Sequence, residues 1–252
     1  LAALNEPRLR FVRSQTRGKG AALNEGLRLA SGHIVVCTDD DCEVPIGWVL
    51  EMARALEVQQ SAAILFCRVS GGPYDRTSGY VPAFDITQDR LLSSISDARH
   101  GLGLGAGMAL RREAVLGLGA FDESFGPGAR FPSGDDWDIS LRALLKGWHV
   151  YETADLSVLH HGFRSFEEGR RHAYRDFIAI GALCAKPIRA GYCRSALLAI
   201  WIFSTQALWP PLKDVLRMRR PSGRSRISGF ARGFIEGMRT PVDRQTICFR
   251  GK

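Results

Sequence analysis

The stretch His33-Ile-Val-Val-Cys-Thr-Asp-Asp-Asp-Cys-Glu-Val-Pro45 sets an uninterrupted apolar run directly against three consecutive aspartates. Apolar residues without polar alternation are the pattern of a strand buried on both faces, as in a parallel sheet. Asp39, Asp40 and Asp41 then fall at its carboxyl end, where open α/β sheets place their ligands. Adjacent carboxylates raise one another's pKa and oppose folding unless something neutralises them, and a divalent cation does so. Oxygen donors of this kind suit Mg2+ or Mn2+, which keep positions for water and substrate phosphate. An acidic cap ahead of Pro45 is the plainer alternative. Spacing disfavours two other metal motifs. Counted from Asp39, the sixth position of an EF-hand loop falls on Val44 instead of glycine. Four residues after Asp39 stands Glu43, where an aspartate phosphatase would carry Thr or Val.

Upstream, residues 8–13 alternate apolar and basic side chains and read as a short strand. Arg17-Gly-Lys-Gly20 makes a turn, and residues 21–30 carry Leu23, Leu27 and Ala30 at helical spacing before Ser31-Gly32 ends the helix. Together these form a strand, helix, strand unit. Downstream, the pattern predicts a helix over 48–60, a strand over 62–69 and a loop with short helical pieces over 71–97. The glycine-rich run 101–107 enters 108–111, and a short helix follows over 113–118. A turn at 126–128 precedes a helix over 135–145, with Ile139, Leu141 and Leu145 inward, and one or two strands over 150–159 close the globular part.

Two further groups carry chemistry. Gly134-Asp-Asp-Trp-Asp138 opens a predicted helix, where the dipole alone favours carboxylates. If a hydroxyl is to be deprotonated, a carboxylate beside a metal site is a suitable general base, and Asp136 is the candidate. Asp135 and Trp137 would shape the site, and Asp138 reads as structural. His160-His161 ends the last apolar run; neutral imidazole ligates Mn2+ and would complete a site begun by Asp41. Neighbouring strand residues point to opposite faces, so one of the two faces the metal, and His160 is preferred.

With 252 residues and 45% apolar composition, the chain can bury one sizeable core. Its six cysteines form no CxxC pair, so neither a zinc cage nor a disulfide framework is signalled. The net charge of +8 belongs to the tail: from Lys213 onward eleven Lys and Arg face three acids, while residues 1–212 are balanced. A neutral globular part is no nucleic-acid footprint. The opening Leu1-Ala2-Ala3-Leu4 lacks the basic start and long apolar run of a signal peptide.

The run 17–26, Arg-Gly-Lys-Gly-Ala-Ala-Leu-Asn-Glu-Gly, followed by 30–42 around the aspartates, resembles the centre of the family 2 glycosyltransferases of GT-A fold. Gly105-Ala-Gly-Met-Ala-Leu-Arg-Arg112, Gly119-Ala-Phe-Asp-Glu123 and Gly134-Asp-Asp-Trp-Asp138 follow in the family's order, so that the likeness spans roughly residues 8–165. It implies an α/β fold with a mixed sheet flanked by helices, and inverting transfer from a nucleoside diphosphate sugar to a saccharide or lipid-linked acceptor hydroxyl. By the same resemblance, Asp39 and Asp41 with His160 bind Mn2+ or Mg2+, and Asp136 is the base. Lys19, Asn24, Asp39, Asp40, Asp41, Gly107, Asp135 and Trp137 then line the donor pocket. The family's opening strand, helix and strand are expected upstream of Leu1, which leaves the nucleotide pocket incomplete in the chain as given. No Gln-x-x-Arg-Trp motif follows the base, which disfavours a processive synthase.

The transferase domain is thus expected over 1–190, and a helical, basic extension over 191–252. Within the latter, 196–209 is apolar and is expected to stop at Pro210-Pro211, short of the roughly twenty residues that span a bilayer. Tryptophans near its ends and the basic residues after it suit a helix at an anionic leaflet, hence a cytoplasmic protein peripheral at the inner membrane face. A buried helix with a solvated tail is the alternative. Competing functions are a phosphoryl-transfer hydrolase using Asp39, Asp41, Asp136 and His160 as metal ligands, and a non-catalytic nucleotide-sugar-binding remnant.

Overall fold

The computed structural model describes residues 6, 8–219 and 222–250. Leu1 to Leu4 and two of the tail cations, Arg220 and Lys252, lie outside the described residues. Helix α1 (Lys19–Leu29) leads into strand β1 (Ile34–Cys37), and the short strand β2 (Cys42–Glu43) follows the aspartates. Helix α2 (Trp48–Val58) precedes the long strand β3 (Ala62–Gly71). Short strands β4 (Gly79–Tyr80) and β5 (Arg90–Leu92) come next, then β6 (Met108–Arg111), α3 (Arg112–Gly117) and α4 (Asp135–Leu145). Strands β7 (His149–His160) and β8 (Arg164–Ser165) are followed by α5 (Phe166–Arg189), α6 (Ser195–Ile202), a π-helical stretch Phe203–Leu208, α7 (Trp209–Leu216) and α8 (Arg224–Arg239).

The main sheet has the order β1-β6-β3-β7-β2, with β5 on the outer side of the first half of β7. Strand β3 runs parallel to β7 and antiparallel to β6, so the sheet is mixed and flanked by helices, as expected. Strand β3 is central because it is apolar on both faces. Ile64 and Phe66 enter one core with Ile139 and Phe125, whereas Leu65, Cys67 and Val69 enter the other with Trp48, Met52 and Leu56. Where β7 ends, His160 lies between Gly71 of β3 and Cys42 of β2. That register brings the histidine to the acidic strand end from 119 residues away along the chain.

Four local expectations are corrected. Strand β1 is half-buried and pairs antiparallel with β6, so it is not a strand buried on both faces in a parallel pairing. Residues 8–13 form no strand; Phe11 is 63% and Val12 48% exposed, and backbone without a ladder partner has no sheet to join. The 71–97 segment holds β4, β5 and the Val69–Phe84 bridge, with a 3-10 turn only from Asp97. The apolar helix does not stop at the two prolines: α7 continues it with both in its first turn, and the N–H that Pro210 lacks leaves the Gln206 carbonyl without its helix donor. The wider π-helical turns precede them, and Arg226 of α8 serves the Gln206 carbonyl at 3.4 Å.

The expected boundary at 190 falls just past α5, but α6, α8 and Phe249 beyond it share the main core. Leu198, Ile202, Phe230 and Phe249 belong to the same apolar cluster as Phe66. Helices α5 and α8 meet backbone to backbone: a Cβ on Gly233 would stand 1.9 Å from the Ile178 carbonyl oxygen, and one on Gly181 2.2 Å from that of Phe230.

Candidate active site

A cleft of about 750 Å³ opens at the carboxyl ends of β1 and β7 and is floored by the start of α4. Asp39, Asp40, Asp41, Asp135, Asp136 and His160 line it together with Lys19 and Trp137. Two segments nearly a hundred residues apart, 39–41 and 135–136, thus share one space.

At one end, His160 Nε2 lies 3.4 Å from Asp41 Oδ2. The other ring nitrogen, Nδ1, is 2.9 Å from the Pro82 carbonyl oxygen. A carbonyl only accepts, so Nδ1 carries a proton, and in the neutral imidazole this turns the Nε2 lone pair to the cleft, the arrangement that orients ligating histidines. Gly162 passes so close that a Cβ there would stand 2.6 Å from His160 Nε2 and 2.8 Å from Asp41 Oδ2. The backbone therefore keeps clear the space between the two donors. The Cys42 sulfur completes a group whose ligand atoms all lie within 4.8 Å of one another. These residues fit a divalent cation.

At the other end, α4 begins after Gly134, and its first-turn N–H groups favour negative charge. Asp136 accepts from Gly105 N–H at 2.9 Å and from Trp137 N–H at 2.8 Å. Burial raises the Asp136 pKa, against the pull of those N–H groups and of Lys19. Burial and the neighbouring Asp136 charge push Asp135 up to about 7. The two carboxylates behave as a dyad. Lys19 joins the ends: its Nζ lies 2.6 Å from Asp39 Oδ1. Burial works against that ammonium, but Asp135, Asp39 and Asp136 outweigh it and hold its pKa above the ordinary value.

The structure corrects three site assignments. Asp39 is the partner of Lys19 and lies outside the ligand group around Asp41, where Cys42 stands instead. Asn24 is buried and structural: its amide donates to the Phe121 carbonyl at 2.9 Å and accepts from Phe121 N–H at 2.8 Å, clamping α1 to the segment after α3. Gly107 faces the core, where a Cβ would stand 2.5 Å from Cys67 Sγ; Gly105, two residues earlier, reaches the cleft through its N–H. The four-ligand set of a hydrolase does not assemble either, since neither Asp39 nor Asp136 joins Asp41 and His160 among the described residues. Asp138 is structural as read, buried against Arg142 at 2.8 Å and against Lys186. Sequence reading missed Cys42, Pro82, and the Arg164, His172, Arg175 and Asp176 side chains on the cleft. The only trace of the last three was their spacing of three and four residues along one helix face.

No curated protein sequence matches the chain significantly. Among solved structures it is similar to the mannosyltransferase PcManGT from Pyrobaculum calidifontis in complex with GDP-Man and Mn2+, at 15% identity and TM-score 0.48, over 90% of this chain and 68% of that one. It is similar to GalNAc-T7 with UDP, GalNAc and Mn2+ at 15% identity and TM-score 0.43, over 71% of this chain and 38% of that one. It is also similar to S. aureus TarS 1–349 in complex with UDP-GlcNAc at 12% identity and TM-score 0.48, over 89% of this chain and 73% of that one. The Glycosyl transferase family 2 pattern matches residues 1–116, which include Lys19 and the three aspartates, whereas Asp135, Asp136 and His160 join them through the fold.

Proposed function

We propose that the chain moves a sugar from a nucleoside diphosphate sugar to an acceptor hydroxyl, with inversion and with a divalent metal. The observation that carries this reading is the single cleft in which Asp41 and His160 meet the Asp135–Asp136 dyad, with Lys19 between them. Asp41 and His160 would hold Mn2+ or Mg2+, which when bound offsets charge developing on the leaving diphosphate. Lys19 keeps Asp39 paired and places a cation near the same phosphates. Asp136, half-buried in the cleft, takes the acceptor proton as the hydroxyl oxygen attacks the anomeric carbon. A single displacement from the face opposite the diphosphate inverts the configuration. The reading is tested by calorimetry of UDP and GDP with Mn2+: Asp41→Ala is expected to abolish Mn2+-dependent binding, and unchanged affinity would sink it. Nucleotide binding without any sugar transfer from a panel of donors would mark the chain as a binding module.

We further propose that the acceptor is met at the cytoplasmic face of an anionic membrane. Ser195–Leu216 is continuous over 22 residues with mean hydropathy 1.2, long and apolar enough to cross a membrane by those measures. Its inner side, Leu198, Ile202 and Ala207, is packed in the core, and spanning would strip it away. The outer side is unpartnered: Leu197 is 72% and Ile200 62% exposed, with Trp209, Val215 and Leu216 on the same helical run. Lys213, Arg217 and Arg219 lie at its end. A helix lying in the interface keeps both faces satisfied and sets its cations against anionic headgroups.

A further inference from the structure

The cleft holds basic side chains that the acidic constellation does not use. Arg164 of β8 and His172 and Arg175 of α5 line it, together with Asp176, Ile180 and Leu183. The α5 members recur every three or four residues, so one stripe of that helix faces the cleft. The side chains of Arg164, His172 and Arg175 make no hydrogen bond or ion pair with any described residue. The remaining wall is acidic, with the five carboxyl groups of Asp39, Asp40, Asp41, Asp135 and Asp136 against Lys19. A diphosphate entering that space is repelled unless cations meet it, and a divalent ion at Asp41 and His160 serves one end alone. Arginines without protein partners keep their planar set of donors for a ligand, and that geometry suits phosphate oxygens. Asp176 on the same stripe offsets one charge and leaves the group cationic.

We propose that Arg164, His172 and Arg175 form a phosphate-binding subsite of the cleft that engages a phosphate ester of the substrate without the divalent cation. The identification of that ester rests on the glycosyl-transfer reading. Two sources carry this chemistry, the diphosphate of the donor and a phosphate borne by the acceptor.

The test measures binding of inorganic pyrophosphate in EDTA, and of UDP and GDP with Mn2+, to the full chain by calorimetry. Wild type, Asp41→Ala and the double variant Arg164→Gln/Arg175→Gln are compared. Wild type and Asp41→Ala are expected to bind pyrophosphate without metal, and the double variant at least about tenfold more weakly, the scale of losing charge-assisted bonds. A parallel fall in UDP and GDP affinity assigns the subsite to the donor, and an undiminished one assigns it to the acceptor. Equal pyrophosphate affinity in wild type and double variant, or no metal-free binding by wild type, overturns the proposal. The glycosyl-transfer reading fails separately, through Mn2+-dependent nucleotide binding that survives in Asp41→Ala. Neither arginine side chain has a partner to lose among the described residues, so an unchanged melting temperature of the double variant shows that its fold is intact.

Discussion

Asp136 and Asp135 divide the work of one acidic pair. Both oxygens of Asp136 receive backbone N–H groups, which fixes its orientation toward the cleft. Asp136→Asn is expected to retain Mn2+-dependent nucleotide binding while transfer falls by roughly two to four orders of magnitude, the scale of a lost general base. Undiminished turnover would move the base elsewhere. Transfer should also lose rate toward acid with an apparent pKa belonging to the dyad, and Asp135→Asn should move that limb to lower pH by removing the like charge. A kcat/KM profile that does not shift would show that Asp135 leaves its neighbour alone. The same shift bears on stability. The folded chain holds the Asp135 proton up to about pH 7, against the ordinary 3.8, and so binds it more tightly than the unfolded chain. Its contribution favours folding below about pH 4 and is lost as pH rises through 7. Asp135→Asn should therefore be more stable than wild type at pH 8 and nearly equal at pH 4 in urea denaturation, and an equal difference at both would refute the assignment.

Among the elements, the run from α6 through α7 is the one whose two sides face different surroundings. The inner side fastens to α5 and α8, and exposed Leu197 and Ile200 carry the membrane proposal. Replacing both by Glu removes apolar area worth about 1.5–3 kcal/mol per side chain if buried in lipid, and adds repulsion from an anionic surface. Cosedimentation with anionic vesicles should be lost, while nucleotide affinity holds, and binding by wild type should weaken at high salt. Partitioning that ignores the substitutions, or equal binding to neutral vesicles, would show that this face serves something else. Helix α5 illustrates why elements were easier to read than their uses. Its start is marked by a capping box in which the Ser165 hydroxyl accepts from Glu168 N–H at 3.2 Å and Glu168 accepts from Ser165 N–H at 2.9 Å. That signal is local, whereas the stripe it turns toward the cleft depends on where β7 and α4 stand.

In the whole molecule, the parts are fastened by a buried ionic junction. Lys186 of α5 lies 2.7 Å from Asp122 and also pairs with Asp138 of α4, while Asp122 accepts from Phe249 N–H at 2.7 Å. The ammonium also sits 4.8 Å from the Phe125 ring and 5.3 Å from that of Phe249. Lys186→Met leaves two buried carboxylates without their shared cation and is expected to cost about 3–5 kcal/mol in denaturant unfolding, the scale for breaking a buried pair from one side. A loss below 1 kcal/mol would show that Arg142 and backbone donors suffice. By itself the sequence determined the elements whose signals are contiguous: the acidic strand end, the start of α4 at Asp135, and the strand closing on His160. Periodicity, turn residues and first-turn carboxylates act within a few residues, so they survive without knowledge of neighbours. Only the tertiary structure decided that Asp39 belongs to Lys19, that Asn24 clamps the fold, and that the apolar helix runs on past Pro210-Pro211. The partners that decide such roles are distant, with 97 residues between Asn24 and Phe121 and 127 between Asp122 and Phe249. Which side chain meets which at that range is set by sheet register and helix packing, and burial then makes an unpaired charge or amide too costly to tolerate.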